Sequence, residues 1–433
     1  MKKKLIVSVL GLGYVGLPLA IEFGKVTKCI GFDLNKTRIK QLKKFYDTNH
    51  QIHNKNFNSS KYLLFTNNIS LIKESNFYIV TVPTPINKNN TPDLKLLIHA
   101  CKIIAKVISI NNIVIFESTF YPGLTEEICI PIIEKYSRLK AITENNKKII
   151  KEGFYYGYSP ERINPGDKSR TLKKIVKLTS GSTKNISKYI NKTYRLIISN
   201  TYQTSSIKVA ETAKVIENSQ RDINIALMNE LSILCNKLNI SSKEVLDAAK
   251  TKWNFLNFSP GLVGGHCISV DPYYLSHKAK KIGFKTNVIL SGRKVNDNMG
   301  QYVFDQILNF LKLNIKKPKD KINILIIGAT FKENCPDLRN SQVYLIWKKL
   351  FKSGFKIEIY DPIANNQDFF KIYEFNTIKN LKKYHYDLIV ICVPHKQIIK
   401  MGISKILSLC KTNSKNIFDL KSVFKSKYIK FTL

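Results

Sequence analysis

Short apolar runs at residues 5–10, 29–32, 77–82, 113–116 and 154–158 alternate with stretches whose apolar positions recur at helical spacing, as at 94–107. A run that is apolar throughout suits a strand buried on both faces, and the intervening periodicity suits helices that cover it. Residues 1–200 are therefore predicted to form a parallel sheet with covering helices. Residues 206–238 contain neither glycine nor proline and keep helical spacing throughout, which predicts one helix of roughly eight or nine turns. A shorter helix near 242–249, a loop rich in aromatics and glycine at 253–267, and a second long helical stretch around 286–313 complete a mainly helical centre, residues 201–313. The lysine-rich stretch 314–321, with Pro318 inside it, reads as a linker. Strand-like runs at 322–327, 356–360, 388–393 and 416–420 then predict a second α/β unit over residues 314–433. The predicted fold class is α/β: two Rossmann-like, doubly wound parallel-sheet domains joined by a central helical region with a long helix. Such a helix can connect domains or pair subunits.

Composition narrows the function classes. With 44% hydrophobic and 23% charged residues the chain can bury a core without disulfide staples, and disorder is excluded. Lys and Arg number 70 against 31 Asp and Glu, a net charge of +39. That excess raises a nucleic-acid partner as a possibility. It is mostly lysine, spread over the whole chain beside abundant asparagine and isoleucine, as a compositional bias produces, so no nucleic-acid partner is expected. The field still draws anionic small molecules, nucleotides included. Eight cysteines show no CxxC pair and no recurring spacing, so neither a metal site nor a disulfide framework is expected and a reducing compartment fits best. No stretch approaches the about 18 apolar residues of a membrane helix, and no leader is read at the basic start. A cytoplasmic protein with no membrane partner is the expectation.

The first strong chemical signal is Gly11-Leu12-Gly13-Tyr14-Val15-Gly16, between an apolar run and a helical pattern. Gly11 permits the tight turn, Gly13 lets the backbone approach a pyrophosphate, Gly16 allows close helix–strand packing, and the helix N-terminus attracts phosphate. Asp33 ends the second strand, where a carboxylate accepts ribose hydroxyls and repels a 2′-phosphate, so NAD is favoured over NADP. Pro83-Thr84-Pro85 and Glu117-Ser118-Thr119 each follow a strand and are placed to line the nicotinamide side of the crevice. Glu161 follows the fifth apolar run and could relay protons for a hydrolytic step. Cys267 closes the glycine-rich segment 260–267, with Asp271 four residues on; a thiolate there could attack an aldehyde carbonyl. Its neighbour His266 is a weaker candidate base. Glu211, Lys214 and Asn218 share one face of the long helix, where a lysine and an amide could stabilise an oxyanion. Lys332 and Arg339 flank Pro336 as cations suited to phosphate. Each of these residues, taken alone, also has an ordinary structural explanation.

Taken together, Gly11 to Pro18, Glu211-Thr212-Ala213-Lys214 to Asn218, and Gly264-Gly265-His266-Cys267 to Asp271 stand in the order seen in the UDP-sugar 6-dehydrogenases. The chain resembles that family, which includes UDP-glucose, UDP-N-acetylmannosamine and GDP-mannose dehydrogenases, from residue 4 to about 430. The resemblance implies an NAD-binding first domain, a helical middle that makes a homodimer, and a last domain that holds the UDP moiety. It implies four-electron oxidation of a sugar 6-hydroxymethyl to a carboxylate with two NAD. Cys267 would capture the aldehyde as a thiohemiacetal, and the thioester that follows would be hydrolysed. Lys214 and Asn218 would stabilise oxyanions, Asp271 and Thr119 would order water or take the alcohol proton, and Glu161 would assist hydrolysis. The cofactor contacts so implied are Gly11, Gly13, Tyr14, Val15, Gly16, Asp33, Arg38, Thr84, Thr119 and Arg339. Those to substrate are Glu161, Arg162, Lys214, Asn218, Phe258, Gly261, Gly264 and Lys332.

One departure separates the branches. UDP-glucose members carry a second glutamate four residues after the one matching Glu161, and Pro165 stands there instead. With Trp253-Asn254-Phe255-Leu256 and Val263 to Ile268, segment 159–167 is more similar to the branch acting on UDP-N-acetylgalactosamine or UDP-N-acetylglucosamine in polysaccharide and O-antigen synthesis. UDP-glucose and UDP-N-acetylmannosamine remain as alternative substrates of the same chemistry. A one-hydride β-hydroxyacid dehydrogenase would leave Cys267 and everything after residue 320 without use, and a non-enzymatic nucleotide-binding protein would leave Lys214, Cys267 and Asp271 idle.

Overall fold

The computed structural model describes residues 4–47, 54–162, 173–265, 268–412 and 415–433. By compactness the chain divides into one unit of Met1–Glu217 with Tyr273–Phe284 and another of Asn218–Pro272 with Lys285–Leu433.

The first unit contains β1 (Ile6–Leu10), β2 (Lys28–Phe32), β3 (Leu63–Thr66), β4 (Phe77–Val80), β5 (Ile113–Phe116), β6 (Lys140–Ala141) and β7 (Gly153–Tyr158). They form one sheet in the order β3-β2-β1-β4-β5-β7-β6, with every pairing parallel. Val7 and Val9 of β1 are buried with Leu17, Ala20 and Ile21 of helix Gly16–Val26 and with Ile190 and Tyr194 of helix Lys184–Tyr194. Each Val, Leu or Ile among them contributes about 1.5–3 kcal/mol relative to exposure. A two-stranded parallel ribbon, β8 (Lys177–Thr179) with β9 (Thr201–Gln203), completes the strands of this unit. The order reverses at β1, so β2 and β4 flank it and the loops at their carboxyl ends open a crevice.

The second unit repeats this plan with β10 (Asn323–Ile327), β11 (Lys356–Tyr360), β12 (Leu388–Ile391), β13 (Ile417–Asp419) and β14 (Ile429–Phe431), ordered β11-β10-β12-β13-β14. Alternate residues of β10 enter different cores. Ile324 and Ile326 pack with Met299, Val303 and Ile307 of helix Asn287–Asn314 and with Ile346 and Leu350 of helix Gln342–Lys352. Leu325 and Ile327 pack with Ile398 and Ile406. Covering on both faces is the reason the strand sequences read as unbroken apolar runs.

The long helix runs from Ile207 to Lys237, and the shorter one from Ser242 to Ala249, as the periodicity predicts. Helix Asp271–Lys281 does not figure in the predicted elements, although Pro272 in its first turn is a start signal. The stretch read as a linker carries a short 3₁₀ turn, Lys319–Lys321, and is tied down by Lys317, whose Nζ donates to Asp387 at 2.8 Å. Among the described residues no helix is long and apolar enough to cross a membrane.

Candidate active site

The turn after β1 has the geometry that its glycines foretell. Gly11 takes φ +97° and its N–H donates to Phe32 O at 2.9 Å. A Cβ on Gly16 would lie 1.9 Å from Gly11 O, whereas one on Gly13 would meet nothing within 4 Å. Close packing thus demands glycine at 16, and open space in front of 13 leaves room for a pyrophosphate against the backbone. Asp33 accepts from Leu12 N at 2.8 Å and from Asn35 N at 2.9 Å, which fixes its carboxylate beside the turn. The residues present fit a dinucleotide. Arg38 is buried, its Nε donating to Leu12 O at 3.1 Å and its Nη2 to Asp47 at 2.8 Å. It braces the same turn from behind. Tyr14 and Val15 are half-buried within the turn.

The other candidates of the first unit lie along the same carboxyl edge. Thr84 follows β4 and its hydroxyl donates to Thr119 O, after β5, at 3.0 Å. Glu161 follows β7, its N–H directed at Glu117 O at 3.4 Å. Arg162 forks the carboxylate of Glu217, with Nη2 at 2.8 Å and Nε at 3.2 Å. Lys214 is buried on the long helix. Glu211, one turn before it, accepts from Gly123 N at 2.5 Å, Thr125 N at 2.9 Å and the Thr125 hydroxyl at 2.6 Å. Burial pushes its carboxyl up to about 7 despite those three donors.

In the second unit the structure brings together two candidates 53 positions apart. Asn218 Nδ2 donates to Asp271 Oδ2 at 2.6 Å, both side chains buried. Cys267, its neighbour His266 and Pro165 lie outside the described residues. The loop before Cys267 is held by side chains at three places. Asn229 brackets the Gly261 peptide, accepting from its N–H at 2.8 Å and donating to its carbonyl at 3.0 Å. Lys421 donates to Pro260 O at 3.1 Å, and Asn340 to Gly265 O at 3.0 Å. Freedom to wrap a ligand is the expected reason for these glycines, and the structure adds another. A Cβ on Gly261 would strike Lys421, one on Gly264 Asn340 O, and one on Gly265 the Phe331 ring, all inside 3 Å.

That loop lines a cavity of about 270 Å³ at the carboxyl ends of β10, β12 and β13. Phe258, Gly261 and Gly264 line it together with Lys332, Lys421 and Arg221. So does Gln342, opening a helix whose N-cap Ser341 accepts from Val343 N. Three cations against one carboxylate, Glu333, together with a helix N-terminus suit an anion, and the reversal of strand order beside β10 places the cavity where open α/β sheets bind nucleotides. Gly328, at φ +83°, repeats the turn of Gly11, and Asp361 repeats Asp33 by accepting from Ala329 N at 2.7 Å. The repeat ends there, because His395 occupies Asp361. His395 Nδ1 accepts from Asn334 N at 2.9 Å, so Nε2 carries the proton that faces Asp361 at 3.1 Å. Burial opposes ionisation of Asp361, yet His395 and the backbone donors hold its carboxyl below the usual range. Sequence reading missed His395, Asn229 and Lys421, since none stands in a motif. Arg339 forks Asp337, its Nη2 at 2.6 Å, with 44% of its side chain exposed. No group of three or more metal-ligating side chains occurs among the described residues.

Comparison with known proteins decides what this pair of nucleotide sites serves. Residues 5–198 match the NAD binding domain of the UDP-glucose/GDP-mannose dehydrogenase family, 208–298 its central domain and 325–426 its UDP binding domain. The chain belongs to the UDP-glucose/GDP-mannose dehydrogenase family. It is thus an NAD-dependent oxidoreductase of nucleotide sugars; the crevice beside β1 falls in the NAD segment, and the cavity beside β10 is lined from both the central segment, by Arg221, Phe258, Gly261 and Gly264, and the UDP segment, by Lys332, Gln342 and Lys421. Within the family it is 49% identical over 420 residues to the UDP-N-acetyl-D-glucosamine 6-dehydrogenase of Salmonella typhi, covering 96% of both chains. It is 46% identical to the enzyme of that name from Pseudomonas aeruginosa, covering 97% of both. The solved UDP-D-ManNAc dehydrogenase of Pyrococcus horikoshii superposes with a TM-score of 0.86 at 28% identity, over 99% of this chain and 98% of that one.

Proposed function

We propose that this enzyme oxidises the 6-hydroxymethyl of UDP-N-acetylglucosamine to the carboxylate, in the cytoplasm, for surface-polysaccharide synthesis. The observation that carries the substrate is identity: 49% to a UDP-N-acetyl-D-glucosamine 6-dehydrogenase, against 31% to UDP-N-acetyl-D-mannosamine dehydrogenases. NAD, when bound beside Gly13 and Asp33, supplies the hydride acceptor for each of two oxidations. The chain's own residues do the rest. Cys267 Sγ adds to the aldehyde carbon and later carries the acyl group. Lys214 and Asn218, one turn apart on one helix, stabilise the oxyanion at each stage, with Asp271 orienting Asn218 through their hydrogen bond. Thr119 and Glu161 order and deprotonate the water that releases the product. Phe258, Gly261, Gly264 and Lys332 hold the nucleotide sugar, with Arg162 as a further substrate contact and Arg339 as an NAD contact. The three functional segments are 1–200, 201–313 and 314–433.

A homodimer belongs to the same reading. Val209, Ile216, Leu227 and Leu234 are 47–61% exposed and fall on one stripe of the long helix, at steps close to whole turns. The seven described cysteines are free thiols, which supports a reducing compartment.

The test is NADH release from purified protein given UDP-N-acetylglucosamine, UDP-N-acetylgalactosamine, UDP-N-acetylmannosamine and UDP-glucose in turn. Two NADH per UDP-N-acetylglucosamine, lost in Cys267→Ala, is the expected result. One NADH per sugar, or preference for UDP-glucose, overturns it.

A further inference from the structure

We propose that the buried ion pair Glu117–Lys177 is a positioning device that sets Thr119 and Glu161 for the hydrolytic half of the reaction. This rests on the roles given to those two residues above. Glu117 is the first residue after β5 and Lys177 the first of β8, 60 positions on. Their side chains are 1% and 4% exposed and meet at 2.5 Å. The Lys177 ammonium has three protons and three acceptors: Glu117 Oε2, Ser159 O at 3.1 Å and Pro160 O at 3.0 Å. The other oxygen of Glu117 accepts from the Tyr194 hydroxyl. Burial, and then the charge of Glu117, keep that phenol well above its ordinary range, so it remains a donor. Glu161, Glu117 and Lys177 line one small cavity together with Val15 of the glycine turn.

Stability alone does not account for this arrangement. Desolvating two charges offsets most of their attraction, and an apolar pair of similar volume holds a fold as well. What the pair adds is registration. Backbone bonds join these ends, Ser159 N donating to Phe116 O at 3.0 Å and Glu161 N directed at Glu117 O at 3.4 Å, but Pro160 between them has no N–H, and Lys177 adds a hold on the carbonyls of Ser159 and Pro160. That lysine is in turn anchored on the residue two before Thr119. The ends of β5 and β7, which carry the proposed water-handling groups, are thereby fixed to each other. In the step they serve, water oxygen bonds to the acyl carbon and the carbon–sulfur bond breaks with its electron pair on Cys267 Sγ. The first water proton goes to Glu161, and the second leaves when the product acid ionises.

The experiment follows NADH by stopped flow, with acid quench and mass measurement of the protein, for the neutral double variant Glu117→Gln/Lys177→Met and for Tyr194→Phe. UDP-N-acetylglucosamine and NAD are in excess, and Glu161→Gln is the reference. The double variant is expected to complete its first two hydride transfers at near wild-type rate. It should then turn over at least roughly tenfold more slowly, out of the about 10²–10⁴ that a positioned base supplies. KM should fall with kcat, leaving kcat/KM near wild type, and sugar-acylated protein should accumulate. Tyr194→Phe, which loses one hydrogen bond and keeps both charges, should shift the same way by less, and it decides the matter if the double variant does not fold. First turnover and steady state slowed equally, or not at all, overturn the inference while Glu161→Gln still accumulates acyl protein. If Glu161→Gln accumulates none, the role of Glu161 fails and the inference fails with it.

Discussion

Gly13 and Gly16 stand three residues apart in one turn, yet adding a methyl group to each should have opposite consequences. At Gly16 the new Cβ would sit 1.9 Å from Gly11 O and 2.3 Å from the Thr81 hydroxyl, against the roughly 3.5 Å that such atoms need. The backbone oxygen cannot swing aside, so helix Gly16–Val26 must move off β1, where Leu17, Ala20 and Ile21 are packed. Overpacking of this kind costs about 1–3 kcal/mol, toward the upper end when backbone is the obstacle. At Gly13 the Cβ meets no protein atom within 4 Å, and φ lies outside the left-handed range. Gly13→Ala should therefore hold stability within about 0.5 kcal/mol of wild type. The same empty space is where the pyrophosphate must approach, so about 1–3 kcal/mol of steric cost moves to binding, roughly a 5- to 150-fold rise in Kd for NAD. Thermal unfolding without ligand and calorimetric titration with NAD separate the two effects. A Gly13→Ala protein that binds NAD as wild type does, or that melts as early as Gly16→Ala, refutes the assignment of this turn.

Asn229→Ala leaves the N–H and carbonyl of Gly261 unpaired and takes from Asn296 a partner 2.8 Å away; at about 1–3 kcal/mol per buried unsatisfied group a loss of several kcal/mol is expected by denaturant titration. Its UDP affinity should fall too, because the freed loop lines the cavity, and unchanged UDP binding would separate loop from site. Glu211 titrates at about 7 folded against 4.5 for the ordinary group, so the folded protein holds this proton more tightly. The resulting stability is fully present below pH 4.5 and is lost as pH rises through 7. Melting temperatures from pH 5 to 8 should show a shallower decline in Glu211→Gln, and equal slopes in both proteins would contradict this. Asp33→Asn removes the charge and one of the two oxygens that accept from Leu12 N and Asn35 N, so the preference for NAD over NADP should narrow in paired KM measurements. The proposed homodimer predicts that Leu227→Glu/Leu234→Glu halves the particle mass in light scattering, and a wild-type mass equal to one chain refutes it.

The elements most legible in the sequence were those whose physics is local. Runs buried on both faces had to be unbroken, so β1, β5, β10 and β11 were found to within a residue or two. Only glycine fits where Gly11 turns left-handed and Gly16 touches it, so the dinucleotide turn was legible as well, with Asp33 at the end of the next strand. Strands β3, β6, β8, β9 and β14 were not found, because two to four residues carry little periodicity and their pairing depends on a neighbour distant in sequence. The residues that hold the sites steady belong to the same category. Lys177 looked like one more lysine in a lysine-rich chain until folding placed it against Glu117, 60 positions earlier. Asn229 and Gly261 meet across 32 positions and His395 and Asp361 across 34, distances over which spacing says nothing. A motif records what a ligand demands of adjacent residues. What buried polar groups demand of one another is met only when tertiary structure closes the long loops between them.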